Sequence, residues 1–153
     1  MRQPLVIYAP ISGKLLTMGE VPDPVFSQGY VGPGFAISPD TSRQRVILPA
    51  TGTVSALFPH AFAVDCDGTR SVLVHLGIDT VTLDGEGFDL SLGAGQAVRA
   101  GAEIGYWDPR LAQEAGLSLL SPVVAVQADP GDLEITATFG REIIAGQQLA
   151  IWH

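Results

Sequence analysis

Two runs of alternating apolar residues, separated by an Asp-Gly pair, occupy the middle of the chain between His60 and His75. Asp-Gly between such runs is a strong hairpin signal, because a two-residue turn needs positive φ, which Asp tolerates and Gly readily adopts. With Asp67 and Gly68 as the loop, the predicted opposite pairs are Cys66 and Thr69, Asp65 and Arg70, Ala63 and Val72, and His60 and His75. Directly opposed side chains lie about 5 Å apart on one face of the sheet. The two imidazoles are therefore predicted to be in contact.

The rest of the chain is divided into short apolar segments, with glycine and proline spread evenly between them. This spacing is typical of an all-β protein, so we predict an antiparallel β-sandwich or barrel. The chain has 153 residues, of which 46% are hydrophobic. That is enough for a substantial core, and we expect residues 1–153 to form a single domain. The predicted strands are residues 4–8, 14–18, 35–37, 45–48, 53–58, 60–64 and 71–76.

Two pairs of similar segments indicate an internal duplication. Residues 10–15 resemble residues 49–54, and residues 98–107 resemble residues 143–152, each combining a turn glycine with a following strand. Two similar halves wrapped into one sandwich would place both chain termini in the sheet. Trp152, which ends the second long repeat, is therefore expected to be packed.

One short helix is predicted within residues 108–116. Asp108 supplies the N-cap, Pro109 the first helical position and Gly116 the end. A single helical turn is also predicted within residues 129–134. The expected fold is thus all-β with one or two short helices.

The charge of the chain disfavours two classes of partner. A net charge of −8, with Lys14 as the only lysine, disfavours binding to nucleic acid or to anionic lipid. No apolar run is long enough to span a membrane, and the N-terminus lacks the apolar core of a secretory signal. We predict a cytoplasmic protein without direct membrane insertion. The single cysteine, Cys66, cannot form an internal disulfide and is given no functional role.

Facing imidazoles suit metal binding, acid-base catalysis or reversible phosphorylation of one ring. Catalytic zinc needs three protein ligands, and nothing in the spacing selects the third from the candidates Asp65, Asp79, Glu86 and His153. A phosphoryl carrier needs fewer groups than a catalytic zinc site. A histidine with a pKa near about 6.5 has a free lone pair at neutral pH, and a neighbouring ring N–H can hydrogen-bond the phosphoryl oxygens. After His75, Gly77 would let the backbone approach the bound group, and Asp79 could meet a basic partner.

At these residues the sequence resembles the glucose-type enzyme IIA components of the bacterial phosphoenolpyruvate-dependent sugar phosphotransferase system. Residues 75–81 (His-Leu-Gly-Ile-Asp-Thr-Val) are similar to that family's phosphorylation-site signature. His60, Ala61 and Phe62 match the segment that carries a second active-site histidine. Further shared segments are residues 21–26, 31–34, 49–54, 85–88 and 121–124. The resemblance covers nearly the whole chain.

The resemblance implies a phosphotransferase with a phosphohistidine intermediate, built on a duplicated hybrid motif. His75 would accept the phosphoryl group from the histidine-containing phosphocarrier protein and pass it to a cysteine of an enzyme IIB domain, while His60 stabilises it. Gly77 and Asp79 would support the phosphoryl site. The partner-binding residues by position are Val25, Phe26, Tyr30, Val31, Asp79 and Val81. No cofactor or metal is required, although a zinc ion at His60 and His75 in a partner complex is compatible with the resemblance.

One departure from the family pattern concerns the second histidine. The family often places a threonine two residues before it, where the hydroxyl sets the tautomer of the ring. Here Phe58 stands at that position, in a segment that is shortened to Phe58-Pro59-His60. Another group must orient His60, or the ring is held less firmly.

Three other functions are compatible with parts of this sequence. A zinc-dependent peptidase of related architecture would use the paired histidines, but the His-x-His pattern is missing. A non-catalytic regulatory homologue would keep the fold without the phosphorelay. A lipoyl-type or biotin-type carrier needs a lysine at a hairpin tip, and Lys14 lies in the wrong setting. The start and end of the sequence lead us to expect a free component, without a fused membrane subunit.

Overall fold

The computed structural model describes residues 2–91 and 93–153. This part of the chain forms short β-strands with brief helical connections, as the even spacing of turn residues predicts. The strands are β1 (Leu5–Tyr8), β2 (Gly13–Thr17), β3 (Gly34–Pro39), β4 (Gln44–Ile47), β5 (Gly52–Phe58), β6 (Ala61–Asp65), β7 (Ser71–His75), β8 (Phe88–Leu90), β9 (Ala97–Val98), β10 (Glu103–Trp107), β11 (Ser121–Ala125), β12 (Leu133–Ile135), β13 (Glu142–Ile143) and β14 (Gln148–Trp152). The seven strands predicted from the sequence are all present, with ends that differ by one or two residues.

The strands form three antiparallel sheets. The largest has the order β13-β2-β3-β11-β7-β6-β5-β9, and two three-stranded sheets have the orders β1-β14-β12 and β4-β10-β8. Buried side chains from all three sheets, among them Phe62, Trp107 and Trp152, meet in one hydrophobic cluster. The predicted antiparallel β-sandwich is therefore confirmed.

Equivalent hydrogen bonds in the two halves confirm the internal duplication. Gly101 N–H donates to the Leu48 carbonyl and Gly146 N–H to the Ala9 carbonyl, both at 2.8 Å. Trp107 and Trp152 are both buried, at 0% and 2% exposure, as the similar repeat ends predict.

The helical segments follow local capping signals. The predicted helix within residues 108–116 is present as α2 (Arg110–Glu114), and the Asp108 carboxylate accepts a hydrogen bond from Arg110 N–H. The predicted turn is a 3₁₀ helix (Pro130–Asp132), capped by Asp129. The sequence analysis missed α1 (Pro24–Ser27), although its Asp-Pro start is the same signal. Further 3₁₀ helices are Met18–Glu20 and Thr80–Leu83.

The predicted register of the central hairpin was wrong by one residue. In the structure Asp65 pairs with Ser71, so the loop has one residue more, and His75 lies opposite Ala61 rather than His60. The cause is the Asp67 carboxylate, which accepts hydrogen bonds from the backbone N–H groups of Thr69 and Arg70. This side-chain turn favours a longer loop over the two-residue turn that Asp-Gly alone predicts.

Candidate functional site

The two central histidines occupy different kinds of backbone. His75 is the last residue of β7, whereas His60 lies in the two-residue turn between β5 and β6. Leu76 N–H donates to the His60 carbonyl at 2.8 Å, which ties this turn to the end of β7. The ring centroids are 5.0 Å apart and the planes are inclined at 72°. The predicted contact is confirmed, although His60 reaches it from a turn and not from the opposed strand position.

Hydrogen bonds of the following loop hold the His75 ring. Its Nδ1–H donates to the Gly77 carbonyl, and Gly77 N–H donates in turn to the Ser121 hydroxyl at 3.1 Å. The Ser121 hydroxyl donates to the Leu119 carbonyl at 3.0 Å. Because Nδ1 carries the proton, the lone pair of His75 is on Nε2. The sequence analysis did not include Ser121, although it belongs to a segment that carries the family resemblance.

A second buried hydroxyl stabilises the same loop. Thr80 is fully buried, and its hydroxyl donates to the Leu76 carbonyl at 2.7 Å. Gly77 has φ of 74°, a conformation that glycine adopts without strain. The Gly77 carbonyl is bonded to the His75 ring, and the close approach of this backbone to a bound group stays a prediction.

Burial keeps both rings neutral near pH 7. It lowers the pKa of His75, while the hydrogen bond to Gly77 and the carboxylates of Asp23 and Asp79 act in the opposite direction. Partial burial also lowers the pKa of His60, and the neighbouring charge of a protonated His75 adds to this effect. A neutral imidazole retains the lone pair that a nucleophile or a metal ligand needs.

The predicted partner-binding residues divide into two groups in the structure. Val25, Tyr30 and Val81 are exposed by 49%, 70% and 59%, and we call these three residues the apolar rim. Phe26 is only 7% exposed and Val31 is half-buried, and both pack in a small second cluster. The Phe26 ring also lies against His75, at a centroid distance of 5.4 Å.

Carboxylates lie beside the apolar rim. Asp79 is exposed and has φ of 61°, and its carbonyl accepts hydrogen bonds from the backbone and hydroxyl of Thr82. Asp23 caps α1 by accepting a hydrogen bond from Val25 N–H at 3.0 Å. Apolar side chains beside negative charge form a surface suited to a basic protein partner.

The histidine pair lacks a third ligand within the described chain. Among residues 2–91 and 93–153, no group of three or more His, Cys, Asp or Glu side chains lies together. The described residues therefore give the zinc-peptidase alternative no complete catalytic site, since that chemistry needs three protein ligands. Two imidazoles alone could complete a metal site only with a ligand from another molecule.

The fold and the histidine pair identify the class of protein. The glucose permease IIA from Mycoplasma capricolum superimposes with a TM-score of 0.84 at 31% sequence identity, covering 98% of this chain and 96% of that one. The chain therefore has the β-sandwich of a sugar-permease IIA component.

The sequence comparisons identify the family. The family model of the phosphoenolpyruvate-dependent sugar phosphotransferase system, EIIA 1, matches residues 5–130, and the chain belongs to this family. The glucose-specific EIIA component of Buchnera aphidicola is 42% identical over 120 residues, which are 77% of this chain and 73% of that protein. The glucosamine-specific EIICBA component of Bacillus subtilis is 39% identical over 127 residues. The matched residues make up 82% of this chain but only 20% of that relative.

Proposed function

We propose that the chain is a phosphoryl carrier that works through a phosphohistidine on Nε2 of His75. Membership of the EIIA family makes it a component of a sugar phosphotransferase system. The main support for phosphorylation of His75 is the geometry of the two histidines. The Nδ1–H of His75 is bonded to the Gly77 carbonyl, so that Nε2 is the open nitrogen. The centroid of a second neutral imidazole, that of His60, lies 5.0 Å from the centroid of His75.

In the first step, Nε2 of His75 attacks the phosphorus of the phosphocarrier protein's phosphohistidine. The new Nε2–P bond forms while the P–N bond of the donor breaks, and the donor ring leaves with its lone pair. Phosphoryl transfer depends mostly on positioning and on stabilising the charge of the phosphoryl oxygens. His60 supplies a ring N–H for those oxygens, and Gly77 holds the orientation of the acceptor ring.

In the second step, a cysteine thiolate of an enzyme IIB domain attacks the phosphorus. The new S–P bond forms while the Nε2–P bond breaks, and the His75 ring leaves with its lone pair. The apolar rim, together with Asp79, supports docking of both partners, while Phe26 and Val31 form its packed base. The proposed partners are thus the phosphocarrier protein and an enzyme IIB domain. We place this cycle in the cytoplasm and treat residues 1–153 as one IIA domain that needs no cofactor. None of the helices in the described part of the chain has the length and apolarity needed to span a bilayer.

The proposal predicts different defects for the two histidines. With phosphoenolpyruvate, enzyme I and the phosphocarrier protein, we expect no label on His75→Ala, because the acceptor nitrogen is gone. His60→Ala should accept phosphate but transfer it to IIB about 10²-fold more slowly, the scale measured for losing one well-placed donor. Radiolabel from phosphoenolpyruvate, followed on both proteins, measures the two steps.

His153 provides the matched control. It is exposed, and its ring pairs with Glu134 at 2.8 Å, so His153→Ala should behave as the wild type in both steps. Label retained on His75→Ala would refute the proposed acceptor. A wild-type chain that takes no label under conditions that label a relative would indicate a regulatory homologue.

A further inference from the structure

The two imidazoles differ in how they are held. The His75 ring makes the hydrogen bond to Gly77, whereas the His60 ring nitrogens make no hydrogen bond to the described part of the chain. The His60 ring has two aromatic neighbours in the described chain. The centroid of the Phe58 ring lies 6.2 Å from that of His60, with the planes inclined at 37°, and the His75 centroid lies 5.0 Å from it. The Phe26 ring is in turn paired with His75.

The backbone of the short turn is constrained independently of the ring. Phe58 pairs with Ala61, which leaves Pro59 and His60 as the only residues between the two strands. Proline restricts its own φ to about −65°, which suits the first central position of a tight turn. Pro59 also lies close to Gly85, where an added Cβ would be 3.5 Å from the proline Cβ. The direction of the His60 Cα–Cβ bond is therefore set by backbone, but its side-chain torsions are not.

The remaining freedom of the His60 ring is limited by Phe58. Tilted ring pairs with centroids between about 4.5 and 7 Å are favourable beyond simple burial. Phe58 is 57% exposed, so most of its surface contributes nothing to the core. We propose that Phe58 is a positioning residue, which holds the His60 ring against His75 through ring contact in place of a hydrogen bond. This inference rests on the proposed phosphoryl-carrier function, because it concerns the ring that stabilises the transferred group.

The test measures both ring order and catalysis. In Phe58→Ala, we expect side-chain coupling constants of His60 in NMR spectra to show averaging between rotamers where the wild type has one. Transfer to IIB at saturation should fall about fivefold to tenfold, the scale of one lost ring pair. The KM for the IIB domain should stay unchanged, and Phe58→Tyr should keep both properties, because the tyrosine retains the ring.

Phe139→Ala is the matched control. Phe139 is likewise an exposed phenylalanine, at 41%, but lies in the loop before β13, at the opposite end of the large sheet from β5. It should change neither His60 order nor transfer.

Three outcomes would overturn the inference. A single His60 rotamer in Phe58→Ala would show that the ring is held by something else. A rise in KM with unchanged transfer at saturation would show that Phe58 only docks the partner. A wild-type chain that takes no label would refute the proposed function and this inference together, whereas normal labelling with either of the first two outcomes refutes the inference alone.

Discussion

At the scale of single residues, the site depends on which ring nitrogens are engaged. The Gly77 carbonyl accepts the Nδ1–H of His75 and leaves Nε2 with the lone pair. The ring nitrogens of His60 make no hydrogen bond within the described part of the chain, so they are open to a ligand. One ring is thus held as a fixed acceptor, and the other can donate to whatever the first one carries.

The lowered pKa of His75 predicts the pH dependence of phosphoryl acceptance. Burial is the main cause of the shift below the ordinary value of 6.5, and only the neutral ring can attack phosphorus. A lowered pKa keeps the ring neutral as pH falls. Acceptance should therefore stay constant from about pH 8 down to the ordinary histidine pKa, and decline only below it as His75 protonates.

Initial labelling rates with saturating phosphocarrier protein, measured across this range, check the prediction. A parallel profile with the Buchnera aphidicola glucose-specific EIIA component provides the reference for pH effects on the donor. A midpoint above 6.5 for His75 in an NMR titration would contradict the expected direction.

At the scale of elements, hydrogen bonds fix the loop that follows β7 and His75. Gly77 N–H reaches the Ser121 hydroxyl, and Ile78 N–H donates to the Ser118 carbonyl at 3.0 Å. The loop is therefore attached to the start of β11, the strand beside β7 in the sheet. It ends at Asp79, whose positive φ begins the 3₁₀ helix Thr80–Leu83.

Gly77→Ala should destabilise this loop in two ways, because alanine is strained at a positive φ and its Cβ would also collide with neighbouring atoms. An added Cβ would lie 2.6 Å from Cγ2 of Thr80 and 3.1 Å from the Ser118 carbonyl oxygen. We expect the free energy of unfolding to fall by about 1–3 kcal/mol, and phosphoryl acceptance to slow as the His75 ring shifts. Urea unfolding and labelling rates measure the two effects.

Gly68→Ala is the control for backbone strain. Its φ of 83° is similar, but nothing lies within 4 Å of its added Cβ. It should lose less stability and keep full acceptance. Equal losses in the two variants would show that the packing of the loop contributes nothing beyond the backbone conformation.

At the scale of the whole molecule, one buried arginine joins the central hairpin to both ends of the described chain. Arg70 is 3% exposed and donates to the Trp152 and Gln3 carbonyls, each at 2.8 Å. It also pairs with Asp67 at 2.7 Å, and this hydrogen-bonded contact holds the pKa of the Asp67 carboxyl below its usual range. The hairpin that leads to His75 is thereby connected to β14, in a different sheet.

Arg70→Met should destabilise the protein strongly. Removing the buried guanidinium leaves the Trp152 and Gln3 carbonyls without their donor, so we expect a loss of about 3 kcal/mol, or a fall in Tm of roughly 6–12 °C for a chain of this size. Arg110→Met is the comparison, because the exposed Arg110 pairs with Asp108 at the surface and its loss should lower the Tm much less. Thermal unfolding of both variants tests this, and similar Tm values would contradict it.

Much of the fold and of the candidate site was predictable from the sequence, because the relevant signals are local. Alternating apolar residues identified the strands, repeated turn glycines the duplication, and Asp-Pro the helix within residues 108–116. The contact between His60 and His75 also followed from the hairpin, even with the register one residue off.

The tertiary structure alone decided how each imidazole is held. The Asp67 carboxylate binds backbone N–H groups and so sets the length of the hairpin loop. The Ser121 hydroxyl accepts the Gly77 N–H, although its strand is distant in sequence. Arg70 donates hydrogen bonds to residues near both ends of the described chain. Hydrogen bonds between distant residues depend on how the sheets pack, which no local pattern encodes. For the same reason, the sequence indicated that two histidines meet, but only the packed structure left Nε2 of His75 as the open nitrogen and placed the Phe58 ring against His60.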